Sequence, residues 1–237
     1  MTINRKFDVA IVGQGIAGSL LAWELWKRNV DFVVIDSPVK HKSSNVAGGL
    51  FYPLAARKPS LIDRFELYYN RMQETYSELE TYFVASFLHE KPSLRKIDPL
   101  DLEQWKQTSN SEILDLIRWL ETSSEIAPFE TAVQVQNSGY VDLVYLISLI
   151  KTWLNTYNRL IVRDLHYDRI QIESDAVHLF DSFSAQKIVF CEGISVLQNP
   201  WFSDISMEVN KGELIEIYAP NLDERFILRD SIFVLPL

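Results

Sequence analysis

Gly13, Gly15 and Gly18 stand at G-x-G-x-x-G spacing in "FDVAIVGQGIAGSLLAWELWKRNVDFVVID", and the stretch closes on an acid, Asp36. These are residue types that hold a dinucleotide. Gly13 permits a tight turn, Gly15 removes the Cβ that would block a pyrophosphate, and Gly18 lets a helix lie close to a strand. Asp36, followed by Ser37, is placed to accept hydrogen bonds from the ribose hydroxyls of an adenosine, and its charge repels a 2′-phosphate.

Elements of the right kind surround these residues. Phe7 to Val12 is a continuous apolar run, as in a strand buried on both faces, and Gly13 ends it where a helical pattern begins. That helix, from Ile16 and Ala17 to about Arg28, points its free N–H groups and positive dipole end at the phosphates. Phe32 to Ile35 is the second parallel strand. Both NAD and FAD satisfy this unit.

Composition limits the rest. The chain has 237 residues, 47% of them hydrophobic, enough for one large domain or two small ones. A formal charge of -9 leaves no basic field to displace counterions, so no nucleic-acid partner is expected. No apolar run reaches the length of a membrane span. Cys191 is the single cysteine, which excludes an intrachain disulfide and fits a reducing cytoplasm. His41, His89, His166 and His178 lack carboxylate or cysteine neighbours at ligand spacing, so no metal site is expected, and no hydrolytic triad is visible.

After Asp36 the chain enters "SPVKHKSSNVAGGLFYPLAARKP", a turn-rich segment where an NAD-dehydrogenase unit would go directly into another helix. The segment resembles the loop of the D-amino acid oxidase superfamily of flavoproteins, the group of glycine and sarcosine oxidases. Ser43, Ser44 and Asn45 match its polar turn. Gly48, Gly49 and Leu50 match the place where that family brings backbone against pyrophosphate and isoalloxazine. The resemblance implies FAD, with glycines because a flat ring can approach bare backbone closely. "FYPLAARK" also resembles the flavin domain of a bacterial enzyme of tRNA wobble-uridine maturation, a branch of the same superfamily.

Further along, apolar residues at helical spacing predict helices over 61–83 and 111–121, the latter with Ser111 as N-cap. "VQVQNSGYVDLVYLISLIKTWL" predicts a strand, a turn at Gly139 and an amphipathic helix opened by Asp142. "RLIVRDLHYDRI" predicts a strand and turn, and the resemblance puts Tyr167 along the adenine. "AQKIVFCEGISV" predicts a buried strand ending in Cys191, Glu192 and Gly193. Relatives carry Ala-Thr-Gly there, so only the glycine is kept, and Cys191 is expected to be a small buried hydrophobe. "MEVNKGELIEIYAP" resembles the strand that re-enters the family's substrate sheet, with Gly212 at its glycine. The charges of "NLDERFILRD" are expected to solvate a hairpin turn, with Arg225 or Arg229 facing an anionic substrate as the alternative.

The expected fold is α/β: a Rossmann-like FAD/NAD(P)-binding domain, residues 1–83 with 142–200, and a mixed α+β substrate domain, 84–141 with 201–237. The activity implied by the resemblance is hydride transfer from a carbon bearing an amine to flavin N5, with a small amine or amino acid as partner. No catalytic residue is identified. The competing readings are a flavin-fold binding or scaffold protein without turnover and a tRNA-modifying flavin enzyme. Because the family continues beyond the strand at "RDSIFVLPL", a truncated member with weakly held FAD and poor turnover is expected.

Overall fold

The computed structural model describes residues 5–38, 42–55, 59–120, 129, 131–180 and 183–237. Two compact units form: Met1–Ala47 with Leu143–Leu214, and Gly48–Asp142 with Ile215–Leu237. This division differs from the expected one, since residues 48–83 and Asp142 fall in the second unit and 201–214 in the first. The helix Phe65–Phe83 explains the first shift: its Phe65 and Tyr69 rings stack, and Tyr69 meets the ring of Phe51, all within the second unit.

The first unit is built on a six-stranded sheet. Arg5–Val12 lies at its centre, parallel to Phe32–Asp36 on one side and to Phe183–Phe190 on the other. Leu160–Val162 adds a parallel strand beside Phe32–Asp36, and Val177–Phe180 with Gln171–Ile172 extends the other edge antiparallel. A parallel strand flanked on both sides must be apolar throughout. Accordingly Ala10 and Ile11, paired to Ile188 and Val189 and to Val33 and Val34, are fully buried.

Two helices cover the sheet through aromatic residues. Ile16–Lys27 supplies Trp23 and Trp26, which meet Trp153 of the helix Leu143–Thr156 edge-on at 5.8 and 5.3 Å between centroids. Leu146, Ile147, Ile150, Trp153 and Leu154 form the buried stripe of that second helix, at the spacing of a single helical face.

The second unit holds a five-stranded sheet in the order Phe233–Val234, Ile227–Arg229, Ser93–Lys96, Ala132–Val135, Ile117–Leu120. A smaller sheet joins Leu50–Phe51, Gly139–Val141 and Leu88–Glu90. Gly139 lies within a strand and not in a turn, paired with Glu90, and it must be glycine because a Cβ there would overlap the carbonyl oxygen of His89 across the ladder.

Two expected elements change. The helix over 111–121 stops at Leu116, and Ile117–Leu120 continues as a strand against Ala132–Val135. Its N-cap is Asn110, whose side chain accepts from the Ile113 N–H at 3.2 Å, one residue earlier than expected. The expected strand over 207–218 carries no ladder: Met207, Val209, Ile215 and Ile217 alternate as in a strand, yet all are exposed. Alternation marks a face to be buried, and only a neighbouring strand makes it a strand. His41 and Glu121 lie outside the described residues.

Candidate functional site

The glycine turn begins where the central strand ends. Gly13 has φ +99°, and a Cβ on it would collide with the carbonyl oxygen of Cys191. Cys191 is held there because its N–H donates to the Val12 carbonyl at 2.7 Å, continuing the parallel ladder. Gly18 is buried beneath the turn, where any Cβ would overlap the carbonyl oxygen of Gly13. Gly18 therefore serves packing.

The helix that follows starts at Gly15 with no acid in its first turn. Its first N–H groups lack intrahelical partners. The Ser44 hydroxyl accepts one of them, from Ile16 at 3.2 Å, and thereby fixes the turn Ser43–Asn45 over the helix end.

Asp36 is 5% exposed at the end of the second strand. Its Oδ1 accepts from the Gln14 N–H at 2.9 Å, and its Oδ2 faces the Lys42 ammonium at 2.5 Å. Lys42 also donates to the Gln14 carbonyl at 3.4 Å. Gln14, although polar, is 1% exposed: its amide donates to Ser19 Oγ at 3.2 Å and to the Ile147 carbonyl at 3.1 Å, tying both helices to the turn.

These groups open onto one cavity of about 1080 Å³ in the first unit. Of the residues expected at the cofactor, Gly13, Gly15, Ile16, Ala17, Asp36, Ser37, Ser43, Ser44, Tyr167, Cys191 and Gly193 line it. Gly18 lies under the turn, and Asn45 belongs to the Ser43–Asn45 turn without lining the cavity. Gly48, Gly49 and Leu50 belong to the second unit, where Gly49 has φ +65° and a Cβ on it would overlap the Val141 carbonyl oxygen.

The departure at Cys191-Glu192-Gly193 has a local explanation. Glu192 Oε1 accepts from the Tyr167 hydroxyl at 2.7 Å, and Oε2 accepts from the Asn199 amide at 2.9 Å. Burial, then the hydrogen bond to Glu192, pushes the Tyr167 phenol well above its ordinary range. Cys191, expected to be buried, is only partly so, and burial, then the Glu192 carboxylate, raises its thiol above the ordinary value. Among the described residues no group of histidines, cysteines and carboxylates could hold a metal. His166 lines the cavity, and His89 stacks on Tyr140 at 4.7 Å.

Gln14 and Lys42 escaped the sequence reading. A lone polar residue between two motif glycines was the available signal for Gln14. Lys42 sits in a loop without periodicity, so only its closeness in sequence to Asp36 hinted at the pair. Lys42→Met is expected to leave the Asp36 carboxylate buried without its cation, costing about 1–3 kcal/mol. A urea titration should show the lowered midpoint, with Lys42→Arg near wild type; an unchanged Lys42→Met midpoint would mean that the ion pair contributes nothing.

Solved structures share this fold. Glycine oxidase from Geobacillus kaustophilus matches with a TM-score of 0.64 at 17% identity, over 85% of this chain and 59% of its own. L-proline dehydrogenase from P. horikoshii matches with 0.60 at 15% identity, over 88% and 58%. L-amino acid deaminase from Proteus vulgaris matches with 0.59 at 14% identity, over 84% and 51%. The chain thus spans between half and three fifths of the length of these proteins. The family model described as FAD dependent oxidoreductase matches residues 8–232, nearly the whole chain, and the chain belongs to that family.

Proposed function

We propose that the first unit binds FAD and that the protein serves oxidation of the C–N bond of a small amine or amino acid. The observation that carries this reading is the single cavity shared by the glycine turn and the buried Asp36 carboxylate. Its volume lies at the upper end of the roughly 300–1,000 Å³ usual for ligand pockets, as a dinucleotide requires. The helix end with no acid in its first turn fits a pyrophosphate, and Lys42 adds a cation beside it. Asp36 fits a ribose, each of its oxygens keeping acceptor capacity beyond the bonds already made.

In this reading Gly13, Gly15, Ile16 and Ala17 seat the pyrophosphate, Ser43 and Ser44 close over it, and Asp36 and Ser37 take the adenosine ribose. Tyr167, held by Glu192, flanks the adenine end, and Cys191, against Gly13, and Gly193 line the same cavity. Bound FAD supplies the ring that accepts a hydride from the carbon bearing the amine. Glycine oxidase, L-proline dehydrogenase and L-amino acid deaminase among the structural neighbours favour an amine or amino acid as the donor.

The test is an absorption spectrum of the FAD-loaded protein under anaerobic conditions with glycine, sarcosine, L-proline or D-amino acids added in turn. Bleaching of the flavin band by one of them is expected. A loaded protein that no amine bleaches would support a flavin-fold binding protein instead.

A further inference from the structure

Glu192 and Tyr167 both line the cavity of the first unit, but the chain holds them with unequal firmness. Glu192 follows the strand Phe183–Phe190 closely. Its backbone has little freedom, because the Cys191 N–H donates to the Val12 carbonyl at 2.7 Å and the Glu192 carbonyl accepts from the Ser195 N–H at 3.2 Å. Tyr167 instead opens a short turn, Tyr167–Arg169, and its side chain is only half-buried.

The Glu192 carboxylate joins the firm element to the loose one. Oε1 accepts from the Tyr167 hydroxyl at 2.7 Å, and Oε2 accepts from the Asn199 amide at 2.9 Å. Asn199 is itself fixed: it is 1% exposed, and its Oδ1 accepts from the Trp201 N–H at 3.0 Å, so its amide presents N–H groups to Glu192. The rings continue the arrangement. Trp201 stacks on Phe190 at 5.6 Å and meets Tyr167 edge-on at 6.1 Å, and Tyr167 lies 6.4 Å from Phe190.

We propose that Glu192 is a positioning residue for the base of the nucleotide: it holds Tyr167 in advance as an aromatic wall for adenine, and so strengthens binding of the adenosine half. A phenol on a short turn must otherwise be ordered when the ligand arrives, at a cost to affinity. Every base has a π-face, so such a wall needs fixed orientation and no matched donors. Geometry matters here and charge does not. A Gln side chain at this position supplies the same bridge, its oxygen accepting from Asn199 and its amide N–H donating to the phenol oxygen. The proposal rests on the reading of the cavity as an adenine-dinucleotide site, and it requires neither the flavin half nor turnover.

The test is a double-mutant cycle on ADP affinity, measured by isothermal titration of the intact chain. Glu192→Ala and Tyr167→Phe, which keeps the ring and removes the tether, are each expected to weaken ADP by about fivefold or more. The double variant should bind ADP no more weakly than either single one, since both remove the same contact. Glu192→Gln should stay within about twofold of the wild type. Inorganic pyrophosphate, which has no base, should bind every variant as it binds the wild type. Additive losses in the double variant, or a Glu192→Gln loss as large as that of Glu192→Ala, would overturn the proposal. Should Glu192→Ala fold poorly, Tyr167→Phe decides, and undiminished ADP affinity there would overturn it too. A wild-type chain that does not bind ADP at all would instead overturn the adenine reading of the cavity, and this proposal with it.

Discussion

Asp36→Asn is expected to lower FAD affinity by about 1–3 kcal/mol, roughly 5- to 150-fold, while leaving the fold largely intact. The amide keeps an oxygen for the Gln14 N–H, which now donates to Oδ1 at 2.9 Å. It loses the charge that faces Lys42 and turns one acceptor into a donor, so ribose hydroxyls meet a poorer partner. Asp36→Ala removes both acceptors and leaves a partly buried ammonium uncompensated, so there the binding loss is mixed with a folding loss. Titration with fragments separates the two. ADP affinity should fall in parallel with FAD in the Asn variant, and FMN, which lacks adenosine, should be unaffected. Undiminished ADP binding by folded Asp36→Asn would remove Asp36 from the ribose.

Gly49→Val should destabilise the second unit by about 3 kcal/mol or more, with no flavin present. The position has φ +65°, which a β-branched residue adopts only under strain, and its Cβ would overlap the Val141 carbonyl oxygen. Neither backbone can give way cheaply, because the Val141 N–H donates to the Gly49 carbonyl at 3.0 Å and the strands Leu50–Phe51 and Gly139–Val141 pair directly beyond. Urea melts of the flavin-free chain measure this. A wild-type midpoint would show that the turn yields. A consequence follows for the resemblance that places Gly48 and Gly49 against the flavin ring: loss of flavin in Gly49→Val is not by itself a sign of contact with the ring, since the close approach of the Gly139–Val141 strand alone demands this glycine.

The strand, glycine turn, helix, second strand and acid were legible because each is specified by neighbours in sequence, through apolar runs, glycine spacing and period. The two strands extend by a residue or two, to Arg5–Val12 and Phe32–Asp36, and the helix ends one residue earlier, as Ile16–Lys27. Elements settled by distant partners were not legible. Ile113, Ile117 and Leu120 stand at helical spacing, but the second half of the run pairs with Ala132–Val135 and becomes a strand. The alternating 207–218 segment has strand pattern without a ladder. Charges behaved the same way. Arg225 and Arg229 look alike in "NLDERFILRD", and only burial against Tyr52 separates a solvated turn residue from a half-buried cation.

The most direct test of the central claim is binding of intact dinucleotides to the purified chain, followed by calorimetry and flavin fluorescence. FAD should bind at one per chain with ADP competing for the same site, and NAD should bind more weakly. Stabilisation by NAD with no binding of FAD would contradict the account, because the cavity of the first unit would then hold a different dinucleotide.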